Sequence, residues 1–333
     1  MKGRITSMGS VISVRNICKE YVSYERGGSF AEAVKSLFVR KKKVVVAVRD
    51  VSFEVEEGSI TGLLGKNGAG KSTLIKMMTG VLFPTSGEAN VMGYNPFVDR
   101  TKYVRNIGVL FGQKSQLIWD IPPIDSFLMN KAIYGIDDAA FQTQLDKMVA
   151  LLEVGEVIKK PTRQLSLGER MKCEFVMAML HSPKVVFLDE PTIGLDILAK
   201  ETIRSFILDM NRQGVSFILT THDIEDVERL AGRVIIINKG EKVYEDSLVN
   251  LKKHMGSKKT VKITMKNKMP DFSVDGIDEV NHISDFEKEL TFDRSRISVN
   301  DLLDTFGKMG EIADISVKEI SVEEIIKEIY RAK

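Results

Sequence analysis

Gly65 Lys66 Asn67 Gly68 Ala69 Gly70 Lys71 Ser72 Thr73 spaces two glycines, a lysine and a hydroxyl as GxxxxGKS, between an apolar run at 59–64 and a helix-spaced run at 72–79. Glycines let successive amides converge on phosphate oxygens, the lysine neutralises β and γ charge, and the helix that follows adds its positive end. The Ser72 hydroxyl suits Mg²⁺, a hard cation that prefers oxygen ligands and keeps its waters. An ordinary glycine turn is the competing reading, and it leaves the flanking strand and helix unexplained.

Two acids stand further on. Val185, Val186, Phe187 and Leu188 precede Asp189 and Glu190, so a buried strand should deliver a carboxylate to its carboxyl end. Asp189 is then expected to hold Mg²⁺ through water, although adjacent acids are often no more than a solvated pair. In Leu165 Ser166 Leu167 Gly168 Glu169 Arg170, Ser166 and Gly168 open a helix whose amides face an anion, or else Ser166 caps that helix locally. His222 follows Thr220 and Thr221 after an apolar strand. Lone histidines are commonly structural, but the end of a strand is where an active-site imidazole would stand.

The elements that must position these groups are legible from hydrophobic periodicity. Residues 11–14 and 44–48 read as strands, and 51–55 alternates before the Glu57 Gly58 turn, an antiparallel opening. Residues 185–188 and 217–220 are buried strands with a helix over about 197–211 between them, the alternation of a parallel sheet. From an N-cap at Asp137 or Asp138, Phe141, Leu145, Met148, Val149 and Leu152 recur at helical spacing until Gly155. With a helix over 171–180 they predict a helical subdomain at about 114–181. A last helix at 248–255, a cap at Gly256 and the Lys258 Lys259 pair divide the chain into a domain at 1–255 and an accessory domain at 256–333. The latter is predicted as α+β, with strands at 261–265 and 312–317, helices at 302–309 and 322–330, and a capping box from Ser321 to Glu324. It carries no nucleophile, metal cluster or glycine loop of its own; buttress, dimer contact and partner dock are open readings.

Composition narrows the classes. The 333 residues are 43% hydrophobic, enough for a large core, and 48 basic against 46 acidic residues leave a net charge of +2. That balance excludes a broad polyanion-binding face, so no nucleic acid is expected. Cys18 and Cys173 are far apart with no CxxC companion, which fits reduced thiols in a cytosolic setting. Apolar stretches such as 185–188 and 234–237 fall far short of the roughly 20 residues a spanning helix needs. The N-terminus has no secretory core. Any membrane role is expected to be peripheral.

The order GxxxxGKS, LSxGE, then LDEP is similar to that of the ATP-binding cassette (ABC) ATPases, over about residues 12–251. The resemblance implies an α/β P-loop NTPase domain with a RecA-like core, an antiparallel β-subdomain and the helical subdomain, plus the small C-terminal α+β domain. It implies ATP and Mg²⁺, with Lys71, Glu190 and His222 catalytic and Glu190 orienting or deprotonating the attacking water. Gly65, Asn67, Gly68, Gly70, Lys71, Ser72 and Thr73 would hold the phosphates and Tyr21, with Tyr24 as rival, the adenine. Ser72, Gln113 and Asp189 would meet the metal. Ser166, Gly168 and Asp196 would reach nucleotide held by a second copy, so that a homodimer shares its sites.

The same likeness implies a separate transmembrane permease, docked near Trp119, Ile121, Pro122 and Pro123, export as the direction, and the cytoplasmic face of the membrane as the place. The chain departs from the commoner LSGGQ at Leu167 and Glu169, which predicts altered turnover or affinity, and Ile197 replaces a proline-like residue. Phe30, Val34, Leu37 and Phe38 followed by Arg40 Lys41 Lys42 Lys43 form a basic amphipathic insertion at 25–43 that suits an anionic membrane surface, a plain surface helix or the permease. The alternatives to transport are a soluble ABC ATPase acting on ribosomes or DNA and an ATP-gated regulatory module. Against the first, only one cassette and no long heptad region are present.

Overall fold

The computed structural model describes residues 9–24, 42–112, 114–254, 258–270, 272–319 and 322–331. Gln113, Gly256, Ser321 and all but the last two residues of the 25–43 insertion lie outside the described residues. The chain forms two compact units, Met1–Asp246 and Ser247–Lys333.

In the first unit, β1 (Ser10–Tyr24) and β2 (Lys42–Glu56) pair antiparallel. Val51, Phe53 and Val55 are buried and alternate with exposed or half-buried Ser52, Glu54 and Glu56, the period of a strand with one face on a core. Next, β3 (Ile60–Leu64) is buried at every position and runs through the glycine loop into α1 (Lys71–Met78). The strand β4 (Ser86–Val91) joins the other side of β1, giving a three-stranded antiparallel sheet. After the short α2 (Arg100–Tyr103) and β5 (Ile107–Phe111) come three helices, α3 (Pro123–Tyr134), α4 (Asp138–Leu152) and α5 (Leu167–Met179).

Asp137 caps α4 by accepting from the amides of Ala139 and Ala140. The helix ends at Glu153, which takes the left-handed conformation at φ 55°, so the stop lies two residues before Gly155. Phe127, Phe141, Leu145, Met148, Cys173 and Phe175 share one buried cluster, which binds the three helices together.

The remaining elements are β6 (Val185–Asp189), α6 (Ile197–Arg212), β7 (Ser216–Thr220), α7 (Ile224–Leu230), β8 (Arg233–Asn238) and β9 (Glu241–Ser247). They complete a six-stranded sheet of order β5-β6-β7-β3-β8-β9. Its first five strands are parallel, and Phe111, Asp189 and Thr220 lie in register at their carboxyl ends. Loops leaving a parallel sheet at one edge are where an α/β fold builds a ligand site.

The second unit holds α8 (Leu248–His254), β10 (Lys258–Met265), β11 (Ile277–His282), β12 (Glu287–Asp293), α9 (Val299–Met309), β13 (Ile312–Glu319) and α10 (Val322–Arg331). The sheet is antiparallel, order β11-β12-β10-β13. Val261, Ile263, Leu290 and Phe292 on one face bury Leu302 and Phe306 of α9. Two of these strands, β11 and β12, go beyond the sequence reading: β11 is almost wholly exposed and polar, and only the buried alternation of Lys288, Leu290 and Phe292 marks β12.

Candidate nucleotide site

The loop between β3 and α1 is shaped by what a side chain would hit. A Cβ on Gly65 would stand 2.5 Å from the carbonyl of Ile237, and one on Gly70, at φ 109°, would stand 2.6 Å from the Ala47 carbonyl. Only glycine fits both positions. Lys71 is buried, its Nζ donating to the carbonyls of Gly65 at 2.7 Å and Lys66 at 3.2 Å. Burial pushes this ammonium below its ordinary pKa, and the nearby Glu190 and Asp189 carboxylates pull it back up.

At the end of β6, Asp189 Oδ1 accepts from Ser72 Oγ at 2.9 Å and from Thr220 Oγ1 at 2.6 Å. The same Thr220 hydroxyl accepts from the Glu190 amide at 3.1 Å. Glu190 adopts φ 56°, a left-handed conformation costly for a residue with a long side chain. Two neighbours impose it: the Thr220 carbonyl takes the Glu190 amide at 3.0 Å, and Gly112 donates to the Asp189 carbonyl at 2.8 Å. A Cβ on Gly112 would approach the Glu190 carbonyl to 2.7 Å, so Gly112 permits this turn. The strain aims Glu190 Oε2 at His222 Nδ1, 2.7 Å away. The carboxylate is largely shielded and the imidazole largely exposed.

A buried ion pair secures both loops. Arg204 on α6 donates through Nε to Asp226 Oδ1 at 2.7 Å, and both side chains are shielded from solvent. Asp226 Oδ2 takes the Thr192 hydroxyl and, at 3.4 Å, the Thr221 hydroxyl. Thr192 lies two residues past Glu190 and Thr221 one before His222, so one carboxylate fixes the turns on either side of the Glu190–His222 contact. Lys200 closes the outer edge on Asp223 at 2.5 Å. Sequence reasoning did not single out Thr220, Thr192, Arg204 or Asp226. The one available signal was a cation, Arg204, inside the apolar stripe of Ile203, Phe206 and Ile207.

Together these residues line a cleft of about 340 Å³ that includes Asn67, Gly68, Gly70, Lys71, Ser72, Thr73, Glu190 and His222, with Ala47 and Ile193. Tyr21 is exposed on β1, paired across with Val45, two residues from Ala47, and carries the Lys19 ammonium 5.5 Å above its ring. The oxygen set of Ser72 and Asp189 fits a hard cation. Among the described residues no group of three or more His, Cys, Asp or Glu forms a metal cage.

Ser166, Gly168 and Asp196 do not line this cleft. Ser166 caps α5 in a closed box: its hydroxyl accepts from the Glu169 amide at 3.2 Å and its amide donates to Glu169 Oε2 at 2.8 Å. Glu169 is thus turned back onto its own helix, and Ser166 is exposed. Gly168 packs on Ala199, where a Cβ would come within 3.0 Å, and Asp196 caps α6 through the Ala199 amide at 2.8 Å. Leu167 leans on the neighbouring turn, 3.1 Å from where a Cβ on Gly194 would stand. Ser166 and Asp196 are exposed and Gly168 is buried between their helices, so the Ser166 turn forms a shelf separate from the cleft.

Comparison with known proteins gives this geometry a family. A family model described as ABC transporter matches residues 48–193. The ABC transporter ATP-binding protein NatA of Bacillus subtilis is 32% identical over 64% of this chain and 87% of that protein. ABC transporter A family member 8 of Dictyostelium discoideum is 31% identical over 69% of this chain, which spans only 27% of its length. Among solved structures, a dimeric ATP-binding cassette in a post-hydrolysis state, bound to ADP and Pi, aligns with TM-score 0.60 at 21% identity, over 71% of this chain and 98% of that one. The phosphate loop, the paired acids after β6 and these relatives together make the chain a member of the ABC transporter ATP-binding family, an ATPase of the α/β P-loop fold.

Proposed function

We propose that the protein is the ATP-hydrolysing subunit of an exporter whose permease is a separate chain, and that two copies close on ATP to complete each site. The observation that carries this reading is the separation of parts: the Glu190–His222 pair is ready beside the phosphate loop, while the Ser166 shelf stands exposed outside it. Water attacks the γ-phosphorus in line, the bond from phosphorus to the β–γ bridging oxygen breaks, and Glu190 takes or directs the water's proton. His222 holds the Glu190 carboxylate in place, Lys71 balances phosphate charge, and Tyr21 stacks on the base. Mg²⁺, which Ser72, Asp189 through water and Gln113 would hold, would supply charge neutralisation at the phosphates.

The second copy contributes Ser166, Gly168 and Asp196, in keeping with the dimeric ADP-bound neighbour. Among the described residues no helix is long and apolar enough to cross a membrane, so action at the cytoplasmic face would run through the permease. Ile118, Trp119, Leu128 and Met129 are exposed around the loop before α3 and form the dock for it, whereas Pro123 is buried as the first residue of that helix.

Light scattering on Glu190→Gln with ATP and Mg²⁺ tests the shared site. A dimer should accumulate while hydrolysis falls by about a hundredfold or more, the loss of a general base; a monomer at every ATP concentration would sink the reading. Flux into vesicles holding the co-purified permease tests direction.

A further inference from the structure

Glu174 sits in the middle of α5 and is 5% exposed, among Met171, Cys173, Phe175 and Val176. Its Oε1 accepts from the Ser115 hydroxyl and, at 3.0 Å, from the Gln116 amide; its Oε2 lies 3.1 Å from the same amide. The Leu117 amide donates to the Ser115 hydroxyl at 3.2 Å, and Arg170 acts on Glu174 only at longer range. No ion pair to Glu174 forms among the described residues. A buried carboxylate with no counter-ion is a costly fastener, and burial pushes its pKa up accordingly. A glutamine would hold the same loop without that cost, so the charge itself has a use: charge-assisted bonds to backbone amides are shorter and stiffer.

The two ends of this fastening locate that use. The loop it grips follows Gly112, whose amide donates to the Asp189 carbonyl and where a Cβ would stand 2.7 Å from the Glu190 carbonyl. Gln116 ties the same loop to β5 through the Val109 carbonyl at 2.6 Å. In the other direction α5 begins at Ser166, eight residues and about 12 Å along a rigid helix from Glu174. Bonded groups therefore stand on both sides: Gly112 against the acids of the cleft, Ser115 and Gln116 against Glu174, and Glu174 on the helix that begins at the Ser166 shelf.

We infer that Glu174 is a positioning residue that makes the loop at 115–117 and α5 one piece, so that a displacement of the loop at the cleft is delivered to the Ser166 turn. The inference rests on the proposed reading that Ser166 meets nucleotide on a second copy.

The test uses the full chain in the Glu190→Gln background, with two readings: affinity of the monomer for a fluorescent ATP analogue, and the ATP concentration at which light scattering reports half-maximal dimer. Glu174→Ala should leave monomer affinity within about twofold and raise the dimerisation midpoint about tenfold, inside the usual range of coupling between sites. Glu174→Gln should recover only part of the loss, because shape and one acceptor remain while the charge-assisted bonds do not. Ser115→Ala, an exposed change that removes one donor, should give a smaller rise of about threefold and stands in if Glu174→Ala does not fold. Unchanged midpoints in the alanine variants, or a midpoint that rises only in proportion to weaker monomer binding, would overturn the coupling role while leaving the shared site intact. A parent that never dimerises would overturn both, and the parent control tells the two failures apart.

Discussion

The cleft and the Ser166 shelf solve the same physical problem, how to hold donors and acceptors still, in opposite ways. In the cleft each group is held by an element far away in the chain: Ser72 and Thr220 meet on Asp189, Thr220 and Gly112 bend Glu190, and His222 meets Glu190 across 32 residues. At the shelf, Ser166 and Glu169 satisfy each other within four residues of one helix. The cleft is preorganised by tertiary structure; the Ser166 turn is held by its own helix and stays open to solvent. A group already satisfied locally, yet exposed, is free to serve a ligand that its own chain does not hold, and this contrast underlies the two-copy reading.

The largest break in the contrast should come from Lys71→Ala. Truncating one side of a shielded charge contact costs about 2–5 kcal/mol, so ATP affinity measured by calorimetry should fall by roughly thirtyfold or more. The capping box at Ser166 should be untouched, leaving helix content by circular dichroism as in the parent. Near-normal ATP binding would remove the phosphate-loop assignment.

Asp226→Ala comes next, acting on stability before chemistry. Removing one partner of the shielded Arg204–Asp226 pair leaves Arg204 with the Glu201 and Glu225 carboxylates, each at 3.2 Å, so the loss that denaturant unfolding would report is about 3 kcal/mol, the lower end for a broken buried pair. Turnover should fall with little change in KM, since Thr192 and Thr221 lose their common anchor while the phosphate loop keeps its contacts. A change in KM alone would mean that the network serves binding instead of the Glu190–His222 geometry.

What could be read beforehand follows the same division. The glycine loop, the strand before Asp189 and the Asp137 cap depend on neighbours within a turn or a strand, so spacing and periodicity carry them. Thr220 under Glu190, Arg204 on Asp226 and Glu174 under Ser115 are bonds between residues 30, 22 and 59 positions apart. Apart from the cation Arg204 inside its apolar stripe, nothing local distinguishes those residues from ordinary surface or core positions. The helix end at Glu153 illustrates the limit from another side: glycine is the usual left-handed stop, but the packed end of α4 placed a glutamate there and left Gly155 in the following loop. In the second unit, the exposed polar strand β11 has no apolar alternation to reveal it and forms because β12 offers its edge.

The smallest effect concerns Glu169, and it sharpens the account of the shelf. The amide and hydroxyl of Ser166 hold its carboxyl below the usual carboxylate range. A depressed native pKa means that the contribution to stability is fully present above the unfolded value of about 4.3 and is lost as pH falls through the native value. Glutamine can close the same box without titrating, so the difference in Tm between parent and Glu169→Gln should be flat from neutral pH down to about 5 and then shift toward the glutamine variant in more acid solution. If the box is the whole role of this residue, ATPase kinetics of Glu169→Gln will stay within about twofold of the parent, as for an exposed substitution away from a site. A larger change in turnover at neutral pH, where the cap is intact in both proteins, would instead mean that the charge of Glu169 acts on nucleotide across the shelf, and the tidy separation of a self-contained turn from the chemistry would have to be given up.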